Sequence, residues 1–187
     1  MSKAVMLSIQ PKWVEKIVNG EKTIEVRKTK PKLDTPFKCY IYCTLPKYPH
    51  EDFIATDYPR PQFYGGGKVI GEFTCDQIID AWWDYVPDAI TREVAGGNLE
   101  ALDGTGMTDE ELFSYVGDSM RGHCYGWHIS DLLIYDQPRE LTAFRRACKN
   151  SWYCESCAMY WENNGTCGNE SLQIRRPPQS WCYVEEG

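Results

Sequence analysis

The feature that most constrains the fold of this chain is a helical pattern that stops abruptly and is followed at once by a polar strand. The segment PKWVEKIVN carries apolar residues at helical spacing and ends on an Asn-Gly pair, a common helix stop. The next residues, GEKTIEVR, are typical of a strand, whose side chains point alternately to opposite faces. The apolar Ile24 and Val26 share the face that can pack on a core. Thr23, Glu25 and Arg27 share the other face, which must meet solvent, other side chains or a ligand.

Length and composition favour one globular domain. The chain has 187 residues, of which 42% are hydrophobic and 25% charged, so it can build a single core and is short for two. We therefore predict one domain over residues 1–187. No window approaches the roughly 18 apolar residues of a membrane span. The first residues, MSKAVMLSIQPKW, lack the apolar core of a secretory signal, so we expect a cytoplasmic protein without membrane contact.

Charge is distributed unevenly along the chain. The net charge of −7 argues against a protein that grips phosphates over its whole surface. Residues 1–38 hold nine Lys/Arg and four Asp/Glu, residues 76–118 hold one and eleven, and residues 139–176 hold six and four. This pattern predicts a basic face and an acidic face, or simply two solvated surfaces. If the acidic face is functional, it would contact a protein partner, as in a phage or mobile-element interaction factor.

The hydrophobic patterns predict an α+β protein. Strand-like runs follow the early helix, but strands and helices do not alternate regularly enough for a doubly wound sheet. We therefore expect a small mixed or antiparallel β-barrel with one prominent early helix. An acidic insertion at about 84–118 contains a capping box at Thr108, which predicts a short helix. The predicted strands are KAVMLSI, KTIEVR, FKCYIYCTL (37–45), KVIGEFTCDQIIDAWW (68–83), CYGWHISDLLIY (124–135) and SWCYVEE (180–186).

A cysteine cluster predicts a metal site. Cys148, Cys154, Cys157 and Cys167 have the spacing Cys-x5-Cys-x2-Cys-x9-Cys, within an insertion at about 144–176. Four thiolates can surround one tetrahedral Zn²⁺, and because they leave no open coordination position the metal would be structural. An iron–sulfur cluster is the second interpretation, and four reduced free cysteines the third.

The residues around the opening strand also resemble a known family. The segment SIQPKWVEKIVNGEKTIEVRK closely resembles the signature of ASCH domains, which belong to the PUA-like barrels. Its Gly-x-Lys-x-x-Glu-x-Arg pattern is matched by Gly20, Lys22, Glu25 and Arg27. The resemblance covers most of residues 4–43, 68–80, 124–143 and 177–186. It implies a PUA-like β-barrel that binds RNA, or a single nucleotide or nucleoside, in a cleft beside the first helix.

Side-chain chemistry supports such a cleft. Arg27 offers a planar fork of donors that suits phosphate, Glu25 can accept from a base amine, and Lys22 can supply a point charge. Alternatively, Glu25 and Arg27 form only a structural ion pair. The residues that the sequence predicts to bind nucleic acid are Lys22, Thr23, Glu25, Arg27, Lys28 and Trp181.

An enzyme is the alternative function. One ASCH branch is similar to amidohydrolases that cleave the acetyl amide of N4-acetylcytidine, and its catalytic Lys matches Lys22. Its catalytic Thr is replaced here by Glu25, and its catalytic Glu has candidates only within 72–111. The alternative is therefore a hydrolase of a nucleoside amide or a phosphodiester, with Lys22 as base or nucleophile and Glu25 as acid/base.

Overall fold

The structure is a computed structural model, and it describes residues 3–45, 53–55, 62–85, 94–117, 121–148, 155–165 and 167–185. The helices are α1 (Pro11–Val18), α2 (Asp109–Val116) and α3 (Ala158–Glu162), with 3₁₀ turns at Leu99–Leu102, Leu141–Ala143 and Glu170–Leu172. The strands are β1 (Lys3–Ile9), β2 (Ile24–Arg27), β3 (Phe37–Cys43), β4 (Phe53–Ala55), β5 (Gln62–Tyr64), β6 (Lys68–Cys75), β7 (Ile78–Tyr85), β8 (Val94–Gly97), β9 (Arg121–His128), β10 (Ser130–Glu140) and β11 (Trp181–Glu185).

Most strands belong to two sheets. One has the order β10-β6-β3-β1-β11, in which only β1 and β3 run parallel. The other is antiparallel, with the order β2-β9-β7-β8, and β4 and β5 form a separate two-stranded ladder. The α+β class is thus confirmed.

The predicted barrel is wrong for the part of the chain that the structure describes, because the two sheets are not closed into one. β9 and β10 are separated only by Ile129, yet they pair in different sheets. The sheets are joined at this corner, at the corner between β6 and β7, and by packing, rather than by a continuous ladder of hydrogen bonds. The shared core includes Trp127 from one sheet, Leu7 and Ile41 from the other, and Ile17 from α1.

Two segments that the sequence predicts as single strands each form two strands in the structure. The run 68–83 divides into β6 and β7, and the run 124–135 divides into β9 and β10. In both cases the chain turns a corner and changes sheet. The corners lie at Asp76-Gln77 and at Ile129, where the sequence has no Gly or Pro to indicate a turn.

The helices start and end as their sequences predict. α1 has Pro11 in its first turn, and its end is followed by Gly20 at a φ of 76°. α2 begins with the expected capping box: the Thr108 hydroxyl accepts from the backbone N–H of Glu111, whose carboxylate accepts from the Thr108 N–H. No helix in the described ranges is both long and apolar enough to span a bilayer.

Candidate functional site

A cavity of about 570 Å³ lies beside α1 and β2. The ends of β1 and β3, the first turn of α1, β2, α2 and the stretch just before β11 all contribute to its wall. Residues from both ends of the chain therefore meet at one place. The lining residues are Ser8, Ile9, Gln10, Trp13, Lys22, Glu25, Val26, Arg27, Lys28, Thr29, Thr44, Met107, Tyr115, Pro177, Pro178, Gln179 and Ser180.

Lys22 lines this cavity and is almost fully buried. The residue is 2% exposed, and its Nζ donates to the Thr105 carbonyl at 2.7 Å. The same Nζ is 3.4 Å from a Glu25 carboxylate oxygen and lies 5.3 Å from the centre of the Trp13 ring. Burial lowers the pKa of Lys22 from its usual 10.5, and the Glu25 charge opposes that shift. The amine is thus held among a carboxylate, a carbonyl and an aromatic face.

Glu25 lies between two cations. Its second oxygen is 2.9 Å from Nη2 of Arg27, and both residues are 6% exposed. Arg27 also donates from Nη2 to the Ser8 carbonyl at 2.9 Å and from Nη1 to the Ser180 hydroxyl at 3.3 Å. The three charged groups therefore form one buried network, which we call the Lys22–Glu25–Arg27 cluster.

α2 brings a tyrosine to this network. Burial raises the pKa of Tyr115, while the positive charge of Arg27 opposes that rise. The Nζ of Lys28 lies 5.4 Å from the centre of the Tyr115 ring. An ion pair of 2.9 Å between Lys12 and Glu111 ties α1 to α2 on the outside.

The structure brings together four of the six residues predicted to bind nucleic acid. Lys22, Glu25, Arg27 and Lys28 all line the cavity, whereas Thr23 is exposed and is not part of the wall. The backbone N–H groups of residues 23 and 24 both donate to the Gly104 carbonyl, so the regular alternation of the strand starts only at Ile24.

Trp181, the sixth residue, contacts the site indirectly. It lies outside the cavity wall, and its indole N–H donates to the hydroxyl of Thr29, which does line the cavity. Its ring packs against Trp127 and Tyr183, with centroid distances of 6.0 and 5.3 Å. The structure thus places it as a support of the wall.

Sequence reasoning missed the contribution of the acidic insertion. Thr105, Met107 and Tyr115 come from this segment, for which the sequence predicted a short helix, a possible partner surface and candidates for a catalytic Glu, but no cavity-lining residue among these three. The capping box predicted α2, but no local signal shows which face of a short helix meets a distant strand. Likewise, nothing local in the sequence of residues 177–180 shows that they line the cavity.

The predicted metal ligands do not form a site within the described ranges. Cys148 and Cys167 are half-buried, Cys157 is exposed, and none of them forms a disulfide. Cys154 lies outside the part of the chain that the structure describes. Among described residues, no three His, Cys, Asp or Glu side chains converge as metal ligands. The free thiols suit a soft metal chemically, but the four-cysteine site stays a prediction.

Comparison with protein families identifies the segment that carries the site. The ASCH domain model matches residues 7–41, which run from the end of β1 through α1 and β2 into β3. The ASCH resemblance is therefore confirmed, and Lys22, Glu25 and Arg27 all lie in the matched segment.

The chain is also similar to solved ASCH structures from Zymomonas mobilis. The crystal structure of ASCH from that organism has a TM-score of 0.48 at 15% identity, covering 98% of this chain and 88% of that one. A single-substitution mutant of the same protein has a TM-score of 0.49 at 16% identity, covering 99% and 92%. No curated protein matches the chain.

Proposed function

We propose that this protein binds nucleic acid, with RNA as the first candidate, and takes one nucleotide into the cavity beside α1. The observation that carries the proposal is the buried Lys22–Glu25–Arg27 cluster, which lines that cavity within the ASCH segment. ASCH domains share the PUA-like fold, for which nucleic-acid binding is the general expectation.

The energetics of the cluster support a ligand site rather than a purely structural ion pair. Removing charges from water costs several kcal/mol per ion, and apolar residues of similar size would often be as stable. Perturbed, buried titratable groups in a cleft are typical of functional sites. A volume of about 570 Å³ also lies within the range of small-ligand pockets.

The cavity wall offers the contacts that a nucleotide needs. Trp13 and Tyr115 provide aromatic surfaces, on which a base can stack. Arg27 provides donors for a phosphate, and Lys28 is exposed beside it. The cavity has room for a single nucleotide, so an RNA chain would continue outside it.

A titration with fluorescently labelled single-stranded RNA tests the proposal. We expect Arg27→Ala to weaken binding about tenfold or more, since it removes charge-assisted hydrogen bonds. Arg121→Ala is the matched control, because Arg121 is exposed on β9, outside the cavity wall, and should change affinity less than about twofold. Equal affinities of wild type and Arg27→Ala would reject the proposal.

A folding control accompanies this titration. Arg27→Ala leaves Glu25 with one cationic partner fewer, so its thermal unfolding has to be measured alongside binding. Arg27→Lys keeps the positive charge and loses the planar fork. If folded Arg27→Lys binds RNA with an affinity between those of wild type and Arg27→Ala, both charge and fork contribute.

A hydrolase is the second candidate, and the environment of Lys22 favours it. Burial lowers the pKa of this amine, which raises the fraction of the neutral, nucleophilic form. A Glu25 oxygen lies 3.4 Å from the amine, which makes Glu25 the candidate acid/base partner of Lys22. Release of acetate from N4-acetylcytidine, or cleavage of RNA, that is lost in Lys22→Met would support catalysis. No product over a panel of acylated nucleosides and RNA would count against it.

A protein partner on the acidic segment is the third candidate. Several of its carboxylates already have partners: Asp76 contacts His128 at 2.7 Å, Asp80 contacts His123 at 2.6 Å, and Glu111 pairs with Lys12. Because the same segment also supplies cavity residues, the nucleotide site explains more of its structure. RNA binding that depends on Arg27 favours the first candidate over this one.

A further inference from the structure

The cavity carries an excess of positive charge. Its lining holds three cations, Lys22, Arg27 and Lys28, against the single carboxylate of Glu25, which is a formal balance of +2. The whole chain has a net charge of −7, so the cavity has the opposite sign to the protein. A neutral Lys22 would still leave the lining with a positive balance. Electrostatics therefore favours an anionic guest.

Glu25 cannot neutralise this excess. Its two oxygens already face Lys22 at 3.4 Å and Arg27 at 2.9 Å, so a single negative charge is shared by two cations and cannot balance both. Lys28 is exposed, and none of the ion pairs among the described residues involves it. Its charge is therefore available to a ligand.

Arg27 has donors that the described contacts do not use fully. A guanidinium has five N–H groups and no acceptor. Its bond to Ser180 is long at 3.3 Å, and its buried Nε has no partner among the described residues. Anions with several oxygens, such as phosphate, match this donor fork.

Tyr115 adds a hydroxyl donor to the same part of the cavity. Tyr115 lines the cavity together with Arg27 and Lys28, and a phenol hydroxyl can donate a hydrogen bond as well as accept one. The raised pKa of Tyr115 keeps the phenol hydrogen in place near neutral pH. Arg27, Lys28 and Tyr115 thus form one set of donors on the cavity wall.

We propose that the cavity selects a phosphate-bearing nucleotide, free or within single-stranded RNA, over the uncharged nucleoside with the same base. This inference rests on the proposed function and names the chemical class of its ligand. The phosphate accepts from Arg27, Lys28 and the hydroxyl of Tyr115. The surfaces of Trp13 and Met107 remain for the sugar and the base.

Competition for the labelled RNA tests this selectivity. Cytidine, adenosine, uridine and guanosine are compared with their 5′-monophosphates and with inorganic phosphate. We expect each monophosphate to displace the RNA at concentrations at least about tenfold lower than its nucleoside requires. Nucleosides that compete as well as the monophosphates would overturn the inference and leave RNA binding standing. Inorganic phosphate that competes as well as the monophosphates would also overturn it, because the site would then recognise an anion only.

Two variants locate the selectivity on named side chains. Lys28→Gln and Tyr115→Phe should each weaken monophosphate binding about fivefold to tenfold, and so reduce the preference for the monophosphate over its nucleoside. Lys32→Gln and Tyr160→Phe are matched controls, since neither residue lines the cavity. Unchanged discrimination in both test variants would contradict the assignment. If wild type binds neither RNA nor monophosphates, the proposed function itself fails.

Discussion

At the residue scale, Glu25 sets the charge balance of the site. Its carboxylate is the only one in the described cavity wall, and it separates Lys22 from Arg27. Glu25→Gln would leave two buried cations without a counter-charge. We expect the free energy of unfolding to fall by about 3 kcal/mol, as for other broken buried ion pairs. Urea unfolding measures this, with exposed Glu21→Gln as control, and equal small losses in both variants would contradict the account.

Lys22 gives the site a pH dependence of defined sign. Because its folded-state pKa lies below its unfolded value of 10.5, the unfolded chain binds more protons between these two values. The burial penalty on the charged amine is therefore fully present below the folded-state pKa. It is relieved as pH rises towards 10.5. Glu25, Arg27 and Lys16 are the charged groups that contribute to the shift.

Comparison of wild type with Lys22→Met isolates this effect from other alkaline titrations. The stability of wild type relative to the variant should increase with pH over that interval, as measured by urea unfolding at a series of pH values. A stability difference that stays flat or decreases over the interval would show that the amine is not desolvated.

Sequence reasoning located most of this cluster, for identifiable physical reasons. Alternation along β2 put Glu25 and Arg27 on one face, and the ASCH signature added Lys22, whose long side chain enters the cavity from before the strand. Thr23, which alternation puts on the same face, precedes the first residue of β2 and lies outside the cavity wall, and its backbone N–H donates to Gly104. Tyr115 could not be found, because its place in the cavity wall depends on tertiary packing.

At the scale of elements, α2 closes one side of the cavity. Its capping box fixes where the helix begins, and it places Tyr115 in its last turn against the cavity. Thr108→Ala should lower the free energy of unfolding by about 1 kcal/mol. It should also weaken RNA binding by a few fold, because the wall becomes less ordered.

Ser114→Ala is the control for this prediction, as it removes an exposed hydroxyl from the same helix. Ala favours helix, so this variant should be neutral or slightly more stable. The stability and the RNA affinity of both variants are measured by thermal unfolding and RNA titration. If Thr108→Ala lowers stability without any effect on binding, α2 is a structural element only.

The segment 144–176 carries the prediction of a structural metal. We expect elemental analysis of the purified protein to find one zinc per chain, lost in Cys157→Ser together with thermal stability. A brown sample with an absorbance band near the blue would indicate an iron–sulfur cluster instead of zinc. Purified protein that contains neither zinc nor iron would contradict both metal interpretations.

Elements were predicted better than their boundaries. The strand runs 68–83 and 124–135 were correctly assigned as β-structure, but each hides a change of sheet. A corner of one or two residues without Gly or Pro is too short to separate two strand-like patterns in the sequence. At Gly71 the backbone of β10 comes so close that a Cβ would clash with the Leu133 carbonyl.

At the scale of the whole molecule, the two sheets bring distant segments around one cavity. β1 pairs with β11 from the other end of the chain, which brings Pro178 and Ser180 next to Ser8 and Arg27. The predicted barrel failed at this scale, since closure depends on pairing between distant strands that no local pattern encodes. The strand content and the early helix were predictable because local sequence patterns encode them.

The most direct test of the account is a crystal structure of the protein soaked with a saturating 5′-mononucleotide. The account predicts the nucleotide inside the cavity beside α1, with its phosphate within hydrogen-bond distance of Arg27 and Lys28. An ordered nucleotide bound elsewhere, with only water against the Lys22–Glu25–Arg27 cluster, would contradict it.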